Sequence, residues 1–548
     1  MFAPFAGYDR RWLQPDIIAG LAAAAVVVPK ALAYATIAGL PVQVGLYTAC
    51  VPMAIYAVLG TSRPLSVSTT TTIAILSASA LAIVAPHGGP AELVAAAATL
   101  AFLVGILLAA AGLLRLGFIA NFISEPVLTG FKSGIGLVIV VDQAPKLLGI
   151  HFDKGGFFQN VFAIARHAPE TSVPTLLVAA GVLLLIAVLE KRAPKLPVPL
   201  IAVAAAIAAS AFLGLEPRGV SSVGDVPGGL PSLMLPQLDI VSALWPAAAG
   251  IALMSFTESI AAGRAFAQSG EPRPEPNREL IALGAANAGG GLFGAMPAGG
   301  GTSQTAVNRG AGAKSQLAEL VTAASALVII LVLAPLLSFL PQAALAAVVI
   351  AYSVGLMQPR EFAQIRSVRT REFRWALIAF AGVVLLGTLQ GILVAVIVSL
   401  VSLAHQAYSP PVYPLGRKRG TTVFRPLSEQ HPDDERWPGL LLVRVEGRIF
   451  FANAQRVGDL IWPLVEREQP RVLVLDCRAV IDLEYTALKM LTEAEARLRE
   501  AGIDLWLASL PPAVFEIVER STLGAALGHE RMFLNLESAV ERFERENA

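Results

Sequence analysis

The chain has 548 residues, of which 55% are hydrophobic and only 15% charged, and its formal net charge is +1. Its mean hydropathy of +0.65 excludes an ordinary soluble protein of this length and fits several membrane spans. The balanced charge, with no basic tract, gives no reason to expect a nucleic-acid partner. Cys50 and Cys477 are too far apart in sequence to imply a disulfide framework or a thiolate metal site.

Met1 to Arg11 carries no cleavable-signal pattern, and the apolar run that starts at Ile17 is too long for a signal-peptide core. Apolar segments then recur at about 17–37, 44–59, 66–84, 93–114, 126–148, 173–189, 197–213, 241–265, 279–293, 302–312, 316–340, 342–357, 375–390 and 391–407. The third and tenth fall short of the roughly 20 residues that a helical span needs. They hold the same place in each half of a seven-plus-seven arrangement. Each opens on hydroxyls: Ser66-Val67-Ser68-Thr69-Thr70-Thr71-Thr72 in one, Gly299-Gly300-Gly301-Thr302-Ser303-Gln304-Thr305 in the other. Paired short segments in matching positions point to an inverted-repeat transporter with a midplane site.

Fourteen passes with both termini cytoplasmic gather the basic residues on the inside. Arg63, Arg115, Lys191, Lys195, Arg264, Arg278 and the run Arg360 to Arg374 fall there, against Lys146, Lys154, Arg166 and Arg218 outside. The apolar bulk ends near Leu403, and nearly half of the Lys and Arg lie in the last quarter. Residues 1–408 therefore read as the membrane domain and the Pro-rich 409–437 as a linker. Residues 438–548 read as a small soluble domain. There, strand patterns at Leu440–Val445, Val472–Asp476 and Ile503–Ala508 alternate with helical ones at Thr486–Leu498 and Pro512–Arg520, which predicts an α/β sheet covered by helices.

One ionisable group stands out within an apolar run: Glu258, flanked by Ser255, Thr257 and Ser259. A carboxylate at membrane depth is costly and is by default a functional site. Proton acceptance coupled to transport is the expected role, with a structural cap on a neighbouring half-helix as the alternative. Ser68, Thr69, Thr302 and Ser303 are expected to bind an anion through hydroxyls and helix-end N–H groups. Their alternative role is capping or small-residue packing. Asn277 and Glu279 are expected to cap and hold the ninth segment. No P-loop is present, so no enzyme, cofactor or metal centre is expected, and H⁺ or Na⁺ gradients supply the energy.

These motifs resemble the SulP family of anion transporters with a cytoplasmic STAS domain, over almost the whole chain. Asp16-Ile17-Ile18-Ala19-Gly20 opens the first helix as in that family. Pro29-Lys30-Ala31-Leu32-Ala33-Tyr34-Ala35 is close to its Pro-Gln-x-x-Ala-Tyr-Ala, and Gly39-Leu40-Pro41 with Gly45-Leu46-Tyr47 matches the approach to the second helix. Pro276-Asn277-Arg278-Glu279-Leu280 is similar to Pro-Asn-Gln-Glu-Leu, and Thr302 to Asn308 resembles Ser-x-Ser-Arg-Thr-Ala-Val-Asn.

The resemblance implies a polytopic α-helical fold of fourteen segments in two inverted repeats, shared with uracil permeases, with a core moving against a gate. It also implies a homodimer in the inner membrane, and an anion held between the third and tenth half-helices beside the eighth helix. Sulfate, bicarbonate or a dicarboxylate would be the cargo. Lys30, Tyr34, Gly301 and Gln304 join the expected substrate site. Thr486 occupies the position of the phosphorylatable residue of sigma-factor-antagonist STAS domains, where a cytosolic partner would be regulated, and ordinary helix capping is the other reading.

Departures from the family pattern are Gln304 in place of Arg, Lys30 in place of Gln, Glu125 in place of Arg, and Ser68-Thr69 in the third segment. Lys30 is expected to restore the positive charge that Gln304 lacks, or to pair with Glu258. The rival functions are a carrier of neutral nucleobases and a membrane sensor or scaffold acting through the STAS domain.

Overall fold

The computed structural model describes residues 8–547 except 122–123, 153–154, 194–195, 225, 227 and 269–270; Lys154 and Lys195 of the charge count lie outside the described residues. The chain divides into two compact units, Met1–Leu400 and Val401–Ala548, and each is taken by itself.

All fourteen apolar segments are helical. The first repeat comprises α1 (Leu13–Ile37), α2 (Val42–Leu59), α3 (Thr71–Val84), α4 (Pro90–Leu113), α5 (Glu125–Leu148), α6 (Val173–Arg192) and α7 (Val198–Leu213). The second comprises α8 (Val241–Ala265), α9 (Pro276–Leu292), α10 (Thr302–Gly310), α11 (Leu317–Leu337, with a π turn at Ile329–Leu333), α12 (Gln342–Val354), α13 (Thr370–Leu386) and α14 (Thr388–Tyr408). Among the described residues nine helices are long and apolar enough to cross a membrane, and α3 at 14 residues and α10 at 9 are not. The short pair therefore takes the matching places that the sequence assigns it.

Two groups of helices follow from the packing. α1 lies on α2 and α11, and α4 on α9; separately, α5 lies on α12 and α13. Small residues bring the axes together, as expected where lipid supplies no hydrophobic drive between helices. A Cβ on Gly105 of α4 would stand 2.3 Å from the backbone N of Ala288 on α9, so only glycine permits that approach.

Buried carboxylates fix the loops between these helices. Asp16 accepts from the N–H groups of Lys314 and Ser315, at 2.7 and 3.1 Å, and from the Ser315 hydroxyl at 2.6 Å. Glu279, expected to cap and hold its helix, does not cap it but holds it by reaching across to the end of α2. It accepts from the Tyr56 hydroxyl at 2.8 Å, from Thr61 N at 2.7 Å and Oγ1 at 2.5 Å, and from Ser62 N at 3.2 Å. Asn277 likewise accepts from Gly117 N at 2.8 Å. Glu279→Ala leaves four buried or half-buried donors without their acceptor. It is expected to cost about 3 kcal/mol or more, read as a drop in the thermal midpoint of the purified protein, with Glu279→Gln intermediate.

The second unit is an α/β domain. After the two-residue strands β1 (Val67–Ser68) and β2 (Gly299–Gly300) of the first unit, its strands are β3 (Val412–Arg417), β4 (Phe424–Pro426), β5 (Leu440–Val445), β6 (Gly447–Ile449), β7 (Val472–Asp476), β8 (Val480–Leu483), β9 (Asp504–Ala508) and β10 (Met532–Phe533). The main sheet runs β10-β9-β7-β5-β3-β4, parallel from β10 to β5 and antiparallel beyond.

Alternate residues of the strands serve opposite faces. Leu441, Val443, Leu473, Leu475, Leu505 and Leu507 pack under α15 (Ala454–Glu468), α16 (Tyr485–Glu500), α17 (Pro512–Glu519) and α18 (Thr522–Leu527). Leu440, Leu442, Val472, Val474 and Trp506 pack under α19 (Leu536–Asn547).

The 409–437 stretch is not a linker. It supplies β3 and β4, tied down by Arg417 to Glu435 and Glu537 and by Arg425 to Asp434. Pro414 and Gly416, residues depleted in strands, hide the β pattern there.

Candidate functional site

The two half-helices are joined at their starts. β1 (Val67–Ser68) and β2 (Gly299–Gly300) pair antiparallel, Val67 opposite Gly300 and Ser68 opposite Gly299. α3 begins three residues after β1 and α10 two residues after β2, so the two helix N-termini flank one short ribbon. β2 also lies on α8: a Cβ on Gly300 would stand 2.7 Å from the Ser259 Cα. Ser259 accepts from Gly300 N at 2.7 Å, and Ser255 donates to Ala298 O at 2.7 Å.

Much of the hydroxyl-rich sequence holds this ribbon together. Ser68 donates to Gln304 Oε1 at 3.1 Å, and Gln304 Nε2 donates to Ser66 O at 3.0 Å. Thr69 donates to Pro297 O at 2.9 Å, and Gly301 N donates to Ser66 O at 3.0 Å. Ser68, Thr69 and Gln304 are buried. Four of the eight residues assigned to substrate from sequence, Ser68, Thr69, Gly301 and Gln304, thus direct these groups to the protein itself.

The other four come together. Thr302 and Ser303 are exposed at the first turn of α10, whose N-cap, Gly301, supplies no side-chain bond. Lys30 of α1 is only 4% exposed, and its Nζ donates to Ser303 Oγ at 2.8 Å and sits 4.2 Å from the centroid of the Tyr352 ring of α12. One turn along the same face of α1, the buried Tyr34 meets Thr71 at the start of α3. A single face of α1 therefore touches the N-termini of both half-helices.

Glu258 of α8 is buried beside them. It accepts from Thr70 Oγ1 and Thr72 Oγ1, each at 3.0 Å, and Thr70 is itself the N-cap of α3. Its charged partner is Lys132 of α5 at 3.8 Å; among the described residues Lys30 forms no ion pair with Glu258. Lys132, Thr70, Thr72 and Tyr352 are site residues that sequence reasoning missed. Lys132, the only ionisable residue between positions 126 and 141 of the apolar run 126–148, was the available signal.

The assembled site has two ammonium groups, one carboxylate, two helix N-termini and exposed hydroxyls, at a junction of α1, α3, α8 and α10 with α5 and α12. Such a set has the chemistry to receive an anion. In the second unit, Thr486 is exposed in the first turn of α16, behind the N-cap Glu484. The buried Asp476, at the end of β7, accepts from Arg444 at 2.7 Å.

The profile of the Sulfate permease family matches residues 13–379, and that of the STAS domain matches residues 431–539. The chain belongs to the sulfate permease family. A probable sulfate transporter of Mycobacterium tuberculosis is 34% identical over 99% of this chain and 97% of its own length. Probable sulfate transporter 3.4 of Arabidopsis thaliana is 30% identical over 97% and 85%. This sulfate permease family protein is a membrane transporter with a STAS domain, and not an enzyme.

Its fold matches murine Solute Carrier 26 family member A9, an anion transporter solved in the inward-facing state, with a TM-score of 0.90 at 21% identity over 99% of this chain and 94% of that one. The transmembrane domain of a cyanobacterial bicarbonate transporter matches at 0.62, with 25% identity over 72% and 98%.

Proposed function

We infer that this family member is a secondary active carrier of a small oxyanion, with sulfate as its first candidate, driven by protons through Glu258. The observation that carries the reading is Lys30: a buried ammonium reaching a hydroxyl at the uncapped, exposed start of α10. Among the described residues it forms no ion pair, so its ammonium can offer an anion positive charge where Gln304 offers none. The two lysines argue against a neutral nucleobase as cargo.

The anion would displace the Lys30–Ser303 contact and bind the first-turn N–H groups of α10 together with the Thr302 and Ser303 hydroxyls. Glu258 links α3 to Lys132 on α5, so protonation would release that tie as the α5–α12–α13 group moves against the rest, giving alternating access. The proposed setting is the inner membrane, with both termini cytoplasmic and the protein a homodimer. Thr486 is the proposed phosphorylation point of the STAS domain.

Uptake of labelled sulfate, bicarbonate and fumarate into proteoliposomes, with and without an inward proton gradient and with uracil as neutral competitor, tests the reading. Gradient-driven uptake of one anion, unaffected by uracil, is expected. Uptake indifferent to every anion overturns it. Bicarbonate is the second candidate because a solved relative at 25% identity carries it. A chain cut after Ser409 is expected to retain transport; loss of uptake with the membrane unit intact would favour a scaffold role centred on the STAS domain.

A further inference from the structure

The second unit contains a cavity of about 380 Å³ lined by none of the residues assigned above to the anion site. Leu473, Leu475, Leu505 and Leu507 form its floor, with Val514 and Val518 of α17 at one side. α15 and α16 are its walls, and it opens between them at a rim of Gln455, Asp459, Trp462, Glu493 and Arg497, all exposed.

Below the rim the lining is aliphatic apart from Met490 and Cys477. Burial pushes the Cys477 thiol up to about 12, with the neighbouring Asp476 adding to the effect, so it stays neutral and packs as a small hydrophobe. A ligand group placed this deep must lack polar atoms, because nothing there would satisfy them. Size sets a further limit. An apolar cavity of about 150 Å³ holds benzene, so this one takes a hydrocarbon roughly two to three times larger. Protein interiors rarely keep voids beyond the size of a water.

The rim defines the head group. Among the described residues Arg497 is the only basic one lining the cavity, and its guanidinium makes no ion pair or side-chain hydrogen bond with any of them. It suits a carboxylate. Asp459 and Glu493 on the same rim disfavour a dianionic phosphate head. We propose that this cavity binds a single medium-chain fatty acid, its tail against the sheet and its carboxylate on Arg497.

Photolysis of a diazirine-bearing dodecanoate with the full-length protein in nanodiscs, followed by peptide mapping, tests the site. Labelling is expected on residues 454–468 and 485–500, suppressed by excess unlabelled dodecanoate. Ala494→Trp, which fills the mouth, should cut it by about tenfold, and Gly458→Phe is the second filling variant. An unchanged elution profile and unchanged anion uptake verify that each variant is folded. Arg497→Gln should weaken labelling by the acid while sparing a probe with a neutral alcohol head. Labelling confined to the membrane helices, or undiminished in the folded filling variants, overturns the site. Equal loss of both probes in Arg497→Gln overturns the carboxylate assignment.

Discussion

Lys30→Gln is expected to lower kcat/KM for anion uptake by about ten- to a hundredfold while leaving the thermal midpoint unchanged or slightly raised. A hydrogen bond to a charged group contributes roughly 1.5–3 kcal/mol, and each 1.4 kcal/mol is about a factor of ten in affinity. Among the described residues the direct contacts of the Lys30 ammonium are the Ser303 hydroxyl at 2.8 Å and the Tyr352 ring face at 4.2 Å, with Glu190 acting on it through space and no ion pair formed.

A buried charge with such modest partners costs folding energy, so neutralising it does not destabilise the empty carrier. The same substitution removes the charge that an anion would meet. Stability and uptake therefore move differently if Lys30 serves substrate, and fall together if it serves only the fold. Lys30→Arg keeps the charge but replaces a compact ammonium by a planar fork, so its activity should lie between the two. A Lys30→Gln carrier with wild-type KM and rate would remove Lys30 from the anion site.

Glu258 was legible in the sequence because a carboxylate in an apolar helix has few cheap explanations, and the structure gives it three partners. Lys132 carried the same warning, but a basic residue seven positions into a span also reads as a side chain reaching back to the interface. α3 and α10 were visible because breaks and hydroxyl runs recur at matching places.

Direction was not visible. Ser68, Thr69 and Gln304 have the composition of a ligand site, yet their side-chain bonds go to each other and to the backbone, and nothing in residue type says which way a hydroxyl turns. The β1–β2 pairing joins Val67 to Gly300 across more than half of the membrane unit, and two-residue strands leave no periodicity to detect. The 409–437 segment failed for the opposite reason: Pro and Gly are ordinarily good linker evidence, but here they sit inside a strand whose neighbours supply the pairing.

Glu258→Gln is expected to abolish proton-driven accumulation while leaving slower, gradient-independent equilibration of the same anion. Glutamine is nearly isosteric, and its carbonyl can still accept from Thr70 or Thr72, so the start of α3 keeps part of its anchor. It cannot titrate, and it cannot hold Lys132 by charge. Proton binding would then no longer change the tie between α8 and α5, which is the only place among the described residues where a carboxylate of α8 faces a cation of α5.

The decisive comparison is the ratio of accumulation with and without an inward proton gradient, measured for wild type, Glu258→Gln and Lys132→Gln. Coupling through the pair requires that the ratio fall to about one in Glu258→Gln. It also requires that Lys132→Gln, which leaves the carboxylate but removes its counter-charge, alter the pH dependence of uptake rather than erase transport. If Glu258→Gln accumulates anion as wild type does, the carboxylate is an anchor for α3 and the driving ion acts elsewhere. A sodium gradient imposed on the same vesicles would then show whether Na⁺ takes the proton's place.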